Sequence, residues 1–396
     1  MVGEAEPQVK SIVRAPRNPI RVGIVSFGFG EYCTRLASGL ATMADVGLFM
    51  PFRLSQVQSW RLDPTVEFCS LEKARLRNPM AQFRVIGRVL RSVREFDPHV
   101  IHLQQGHLWF NFALPLLSRY PLVLTIHDPR YHIGDRASRW TPEAIMRRGF
   151  RRADQVIVHG ERQKEEVRTV LRIPDVRIHV IPHIALGAAP TNREVKQGSH
   201  EVLFFGRIWQ YKGLEYLIRA EPLITAEVPD AKIVIAGRGE SLDRYRRMMV
   251  HPDRFIVYND YISDNKRAEL FQRASLVVLP YVQASQSGVI PVAYMHSKPV
   301  VATKVGGLPE MVEDGRTGYL VPPRDEKELA FAIIRLLQDS ALRRELGRNA
   351  RNKIEAECAP EIIARKTLEV YRYAVESENS NPEPSFRAPQ VGIEPE

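Results

Sequence analysis

Arg207 and Lys212 have the residue types and the spacing to hold a diphosphate. The apolar run 202–205 has the length of a buried strand, and Gly206 and Arg207 follow it directly, with Lys212 five residues after the arginine. Arginine offers phosphate oxygens a planar fork of donors, and lysine offers a compact charge. The arrangement predicts an anion site at the end of a strand, although a solvated basic loop has the same composition.

Serines in a second loop point to the same chemistry. The loop follows the apolar run 276–279 and leads into a helical pattern, and its predicted donor-binding residues are Ser285, Gln286, Ser287, Gly288 and Val289. The two hydroxyl groups and the backbone amides around the glycine would meet a phosphate at the start of a helix. Serine also caps helices without a ligand, and both roles are compatible at one helix.

Two pairs of glycines lie where a predicted strand turns towards a helix. Gly28 and Gly30 follow the first strand, and Gly237 and Gly239 follow a later one. Glycine lets the backbone approach a ligand closely, and a helix start favours an anion. A plain tight turn is the alternative reading of each pair. The first pair also lacks the third glycine and the acidic residue of a dinucleotide fingerprint.

His127 and Asp128 stand just past the apolar run 122–126, where ligands bind in parallel sheets. The imidazole would hydrogen-bond a substrate hydroxyl, and the carboxylate would orient that substrate. Three further histidines do not complete a metal site, since their spacing fits no compact ligand set; they are His102, His107 and His132. We therefore predict no metal.

The composition of the chain indicates in which cellular compartment the protein works and which kinds of partner it binds. At 396 residues the chain exceeds one ordinary core, and it has no apolar stretch of membrane-spanning length and no apolar signal core at its N-terminus. Cys33, Cys69 and Cys358 are scattered, which predicts reduced thiols and a cytoplasmic location.

The net charge of +10 suits nucleotide phosphates, anionic lipids or nucleic acid. No groove-reading motif or aromatic platform accompanies the charge, so we predict no nucleic acid partner.

The order of elements predicts the fold class. Apolar runs of strand length alternate with helical patterns from residue 21 to 185, and the alternation restarts at residue 201. Such alternation is typical of parallel sheets covered by helices on both faces. We expect an α/β protein with two Rossmann-like domains facing one cleft, where the carboxyl ends of the strands meet the ligand.

Together these features resemble the family-4 retaining glycosyltransferases over roughly residues 21–374. The Arg207 and Lys212 pair, the Gly237–Gly239 turn and the segment KPVVATKVGGLPEMVEDGRTGYLVPPRD carry the resemblance. It implies GT-B architecture, with a nucleoside-diphosphate-sugar as co-substrate and no other cofactor. By resemblance, Arg207 and Lys212 hold the diphosphate, His127 contacts the transferred sugar, and Gly28 and Gly30 approach donor and acceptor. Tyr261 and Ile262 would lie near the base.

We divide the chain accordingly. The predicted parts are an N-terminal extension (1–20), a first, acceptor-side domain (21–185), a linker (186–200), a nucleotide-sugar-binding domain (201–358), a helix crossing back to the first domain (359–376) and a disordered tail (377–396).

The chain departs from the family at one motif. Many members carry two glutamates eight positions apart near residues 284–293, but one register places Ala284 and Val292 there and the other Ser285 and Ala293. The resemblance implies a sugar transfer with retention of configuration. The absence of an Asp-x-Asp triplet predicts that this transfer does not depend on a metal ion. Alternatives are a nucleotide-sugar-binding protein without turnover and a nucleotide-dependent oxidoreductase.

A basic helix suggests where the acceptor lies. Arg84, Arg88 and Arg91 fall on one face of the helix predicted at 80–96, and a second basic run occupies 147–152. Several such residues suffice for reversible binding to an anionic membrane surface. We predict docking at the inner face of the membrane and a glycan, lipid-linked or small-molecule acceptor, although a solvated helix face has the same pattern.

Overall fold

The computed structural model describes residues 20–51, 62–72, 74–132, 141–187 and 200–379. The predicted N-terminal extension, most of the linker, the tail from residue 380 and Lys73 lie outside the described residues.

Seven parallel strands form the first sheet, in the order β3-β2-β1-β4-β5-β6-β7. Their apolar residues are almost all buried, since helices cover both faces of the sheet. The strands are β1 (Arg21–Ser26), β2 (Asp45–Pro51), β3 (Glu67–Leu71), β4 (Val100–Gln104), β5 (Leu122–Thr125), β6 (Gln155–Val158) and β7 (Ile178–Val180).

The described helices of this half are α1 (Gly30–Leu40), α2 (Pro79–Phe96), α3 (Leu108–Ala113), α4 (Glu143–Arg151) and α5 (Glu161–Glu166). Residues 110–118 have the sequence pattern of one helix, but α3 ends at Ala113 and a 3-10 turn, Leu114–Leu117, continues the chain. Pro115 has no N–H for an α-helical hydrogen bond. Residues 161–171 also have a helical pattern, but α5 changes to a π turn at Val167–Leu171.

Six parallel strands form the second sheet, in the order β10-β9-β8-β11-β12-β13. They are β8 (Glu201–Phe205), β9 (Lys232–Ala236), β10 (Phe255–Tyr258), β11 (Leu276–Leu279), β12 (Val300–Thr303) and β13 (Gly318–Val321). The helices are α6 (Leu214–Glu227), α7 (Asp243–Arg246), α8 (Asp264–Arg273), α9 (Val289–Met295), α10 (Leu308–Met311), α11 (Glu326–Gln338), α12 (Ser340–Cys358) and α13 (Pro360–Asn379).

Helix α13 packs against the first sheet rather than the second. Ile363 and Tyr371 share a buried core with Ile24 and Leu36. The Tyr371 hydroxyl also lies 2.6 Å from Nδ1 of His102, on β4. The last helix thereby ties the two halves of the chain together.

Both sheets reverse their strand order next to the first strand of the sheet, between β1 and β4 and between β8 and β11. Crevices form at such points beyond the carboxyl ends of the strands. The two edges contact each other: Arg267 lies 2.9 Å from the carboxylate of Glu31, and Glu310 accepts hydrogen bonds from the backbone N–H groups of Glu161 and Arg162. The prediction of two Rossmann-like parallel-sheet domains facing a cleft is confirmed.

In the part of the chain that the structure describes, no helix is both long enough and apolar enough to cross a membrane.

Candidate active site

Lys212 lies at the carboxyl end of β8, on a short 3-10 turn, Gln210–Lys212. Its ammonium nitrogen is 3.6 Å from the ring centroid of Tyr281 and 4.9 Å from that of Tyr211. Burial and the charge of Arg207 lower the pKa of Lys212 to about 7, against the opposing effect of Asp128. Arg207 is exposed and Lys212 is partly buried at the same edge of the sheet. The two cations are close enough to repel each other, and an anionic ligand beside both would relieve that repulsion.

Asp128 reaches this place from the other sheet. Its carboxylate lies 3.1 Å from Nε2 of His132. Burial alone would raise the pKa of Asp128, but His132, Arg207 and the Ser285 hydroxyl together leave it lowered. The residue predicted for the acceptor or sugar side therefore stands within the electrostatic reach of the predicted diphosphate cations.

The serine loop closes the same place from β11. The Ser285 hydroxyl is 3.4 Å from Nε2 of His132, which joins the two sheets. The Ser287 oxygen accepts from the N–H of Val289, the first residue of α9, but the N-cap residue is Gly288 and no side chain caps the helix. Gly288 is exposed, and a β-carbon added there would lie 3.4 Å from the side chain of Leu186. That is ordinary van der Waals contact, so packing alone does not require a glycine at this position.

Gln286 has the least satisfied side chain of this loop. Both polar atoms of its amide are buried without a hydrogen-bond partner among the described residues. A buried amide without a partner costs stability unless a ligand or water completes its hydrogen bonds. The amide is therefore suited to accept and donate hydrogen bonds to a polar ligand.

The two glycine pairs differ in their surroundings. A β-carbon on Gly237 would meet the carbonyl oxygen of Gly206 at 1.8 Å, and one on Gly239 would meet that of Ile208 at 1.9 Å. The loop after β9 packs so closely against the loop after β8 that only glycine fits at these two positions, whether or not a ligand binds there. A β-carbon on Gly28 would meet no described atom within 4 Å, so its surroundings leave room for a ligand at the backbone.

His127 is more deeply buried than we expect of a side chain that contacts a sugar directly. It is 5% exposed, and the ring of Phe29 stacks on it at a centroid distance of 3.8 Å. Phe29 stands between Gly28 and Gly30 in the left-handed conformation, with a φ of 53°. The sugar contact of His127 stays a prediction, and it requires the Phe29 ring to move.

The residues predicted for the base lie at the far edge of the second sheet. Tyr261 and Ile262 follow β10, and Tyr261 is 60% exposed whereas Ile262 packs against the core. Their role stays a prediction.

Sequence reasoning missed His159 and His183, which surround His127. The ring centroids of His127 and His159 are 4.9 Å apart, and those of His159 and His183 are 5.0 Å apart. Burial lowers the pKa of His159 to about 3. A signal was present, because a histidine follows each of the three consecutive strands β5, β6 and β7.

Comparison with solved structures gives the class of fold. A sucrose-phosphate synthase from Thermosynechococcus elongatus superimposes with a TM-score of 0.71 at 20% identity, covering 90% of this chain and 100% of that one. The Anabaena protein HepE, in complex with UDP and glucose, gives a TM-score of 0.68 at 19% identity, covering 89% and 100%. The two sheets and their facing edges define a protein of GT-B architecture.

Sequence comparison gives the family. Residues 28–184 match the family described as glycosyltransferase family 4, and residues 199–339 match glycosyl transferases group 1. An uncharacterized glycosyltransferase from Methanocaldococcus jannaschii is 30% identical over 56% of this chain and 60% of its own length. A glycogen synthase from Mycobacterium tuberculosis is 28% identical over 76% and 74%. The chain belongs to the family-4 glycosyltransferases.

Proposed function

We propose that the protein transfers a hexose from a nucleoside-diphosphate-sugar to an acceptor, with retention of configuration and without a metal ion at the diphosphate. The observation that carries this proposal is the meeting of Arg207 and Lys212 at the carboxyl edge of the second sheet, opposite the first. Negative charge develops on the diphosphate as the sugar leaves, and cations positioned beside it would stabilise that charge. The two side chains thus supply the positive charge that a metal ion supplies elsewhere.

The start of α9 would supply further donors. The hydroxyl oxygens of Ser287 and Tyr281 are 3.4 Å apart, and the Tyr281 ring also contacts the ammonium group of Lys212. Tyr281 thus links the serine loop to Lys212. A helix start and hydroxyl groups bind phosphate oxygens in the same way in many proteins. The bond that Ser287 accepts from Val289 is compatible with this role, because a hydroxyl group has two acceptor lone pairs and one donor.

The sugar would lie between the serine loop and the first sheet. Gln286 stands there in the region where many relatives have glutamates, and its buried amide lacks a partner among the described residues. An amide can donate to one sugar hydroxyl and accept from another. We name no protein nucleophile, since in front-face attack the leaving phosphate itself takes the acceptor proton.

The acceptor is a glycan, a lipid-linked sugar or a small molecule, and we place the reaction at the cytoplasmic face of an anionic membrane. Helix α2 exposes Arg84, Arg88 and Arg91, while Met80 and Phe83 on the same helix are 74% and 62% exposed. Basic and large apolar side chains together are typical of surfaces that bind a membrane interface.

A thermal-shift screen of nucleotide-sugars tests the donor. A ligand that binds only the folded protein must raise its melting temperature. We expect one nucleotide-sugar to stabilise the protein in the presence of EDTA, and the Arg207→Ala variant to lose that stabilisation. A requirement for added Mg²⁺ or Mn²⁺, or no stabilisation by any nucleotide-sugar, would contradict the proposed site.

A further inference from the structure

Three histidines converge at the carboxyl edge of the first sheet. His127 follows β5, His159 follows β6 and His183 follows β7, and these strands are neighbours. One ring nitrogen of each histidine lies within 4.8 Å of those of the other two. His127 and His159 are 5% and 6% exposed, and His183 is partly buried.

Hydrogen bonds fix the protons of two of these rings. Nδ1 of His159 is 3.0 Å from the carbonyl oxygen of Ile181, which can only accept, so Nδ1 carries the proton. Nε2 of His127 is 2.9 Å from Oε1 of Gln104, so the proton of this ring is on Nε2. The Gln104 amide is held in this orientation because its nitrogen donates to Nε2 of His102 at 3.0 Å.

The remaining nitrogens therefore face each other with lone pairs. Nε2 of His159 and Nδ1 of His127 are 3.1 Å apart, and neither carries a proton in the neutral ring. In His183, Nδ1 donates to the carbonyl oxygen of Ile184 at 2.9 Å, which leaves the lone pair on Nε2. Two facing lone pairs repel, and either a proton on one of the two nitrogens or a metal ion between them would remove that repulsion.

The geometry fits a metal ion. Two nitrogens bound tetrahedrally to zinc at about 2.0–2.1 Å are about 3.3 Å apart, close to the spacing of the His127 and His159 nitrogens. Histidine ligands of metals almost always donate their other N–H to a carbonyl or carboxamide oxygen, as all three do here. We propose that His127, His159 and His183 bind one divalent transition-metal ion of the zinc type, a site separate from the diphosphate cations.

Nearby carboxylates partly balance the charge of such an ion. Asp128 supplies negative charge near His159, and Glu31 supplies it near His183. Phe29 and Tyr32 enclose His127 from two sides, with ring centroids at 3.8 Å and 5.1 Å. An ion held there would engage Nδ1 of His127 while Nε2 bonds Gln104, so His127 would position the edge of the cleft and would not also hydrogen-bond the sugar.

Metal analysis of the purified full-length protein, free of any histidine tag, tests the site. We expect about one equivalent of zinc or a related ion after dialysis against metal-free buffer. After removal by prolonged dialysis with a strong chelator, Co²⁺ should bind with the visible absorption of a tetrahedral site and should raise the melting temperature. Brief EDTA in an assay would leave such an ion in place, because three protein nitrogens hold it.

Variants localise the ion. His159→Ala and His183→Ala should lose the bound metal and the Co²⁺ spectrum, whereas His179→Ala, a change within β7 itself, should keep both. Failure of the wild-type protein to bind any added Zn²⁺ or Co²⁺ would overturn the proposal. It would mean that the Gln104 amide is reversed and that Nδ1 of His127 donates to His159.

Discussion

At the scale of single residues, the proposed reaction depends on two cations. Arg207→Ala and Lys212→Ala should each slow transfer by about 30- to 900-fold, because loss of one charged contact to the developing diphosphate costs about 2–4 kcal/mol. Steady-state rates and circular dichroism measure activity and folding separately. Lys232→Ala is the matched control, since Lys232 binds the carbonyl oxygen of Asp253 at the amino end of β9. A near-normal rate in either site variant would remove the diphosphate assignment.

Lys212 should also make donor affinity depend on pH. Its pKa of about 7 lies below the ordinary value for lysine, and a bound diphosphate would raise it again. The charged form binds, so affinity is full below about pH 7 and falls above it by up to about tenfold per pH unit. Calorimetric titration with a nucleotide-sugar measures this slope. Lys212→Arg should flatten it, and an unchanged slope in that variant would contradict the role of Lys212.

At the scale of elements, the two glycine turns should respond differently to alanine. Gly237→Ala should destabilise the fold by about 1–3 kcal/mol or more, because φ is 150° and the new methyl group would meet a backbone oxygen at 1.8 Å. Gly28→Ala should leave the melting temperature unchanged but slow transfer, since its methyl group would occupy open space beside the donor. Equal losses of stability in both variants would contradict this distinction.

Local pattern predicted the elements well and the contacts between them poorly. Strand β11 has the bounds of the apolar run 276–279, and the run 202–205 lies within β8, because short apolar runs suit buried parallel strands. The approach of Asp128 to Lys212 joins different sheets, and no local pattern specifies it. The burial of His127 under Phe29 was missed for the same reason: a strand end indicates where a side chain starts, not what covers it.

At the scale of the whole molecule, the first half should bind anionic vesicles. Replacement of Arg84, Arg88 and Arg91 by glutamine should weaken co-sedimentation, since each basic residue contributes about 1 kcal/mol near an anionic surface. The same change at Arg344 and Arg348, exposed on α12, is the control. Binding that is absent at low salt, or equal for anionic and neutral vesicles, would favour a soluble acceptor.

We propose that Arg207 and Lys212, at the edge of the second sheet, bind the diphosphate of the donor and that the sugar is transferred with its configuration kept. The most direct measurement follows a nucleotide-sugar to product in the presence of EDTA and determines the anomeric configuration of the new linkage by NMR. We expect release of nucleoside diphosphate, the same anomeric configuration in donor and product, and loss of both signals in Arg207→Ala. An inverted linkage, or donor binding without any transfer across a broad set of acceptors, would contradict the proposed reaction.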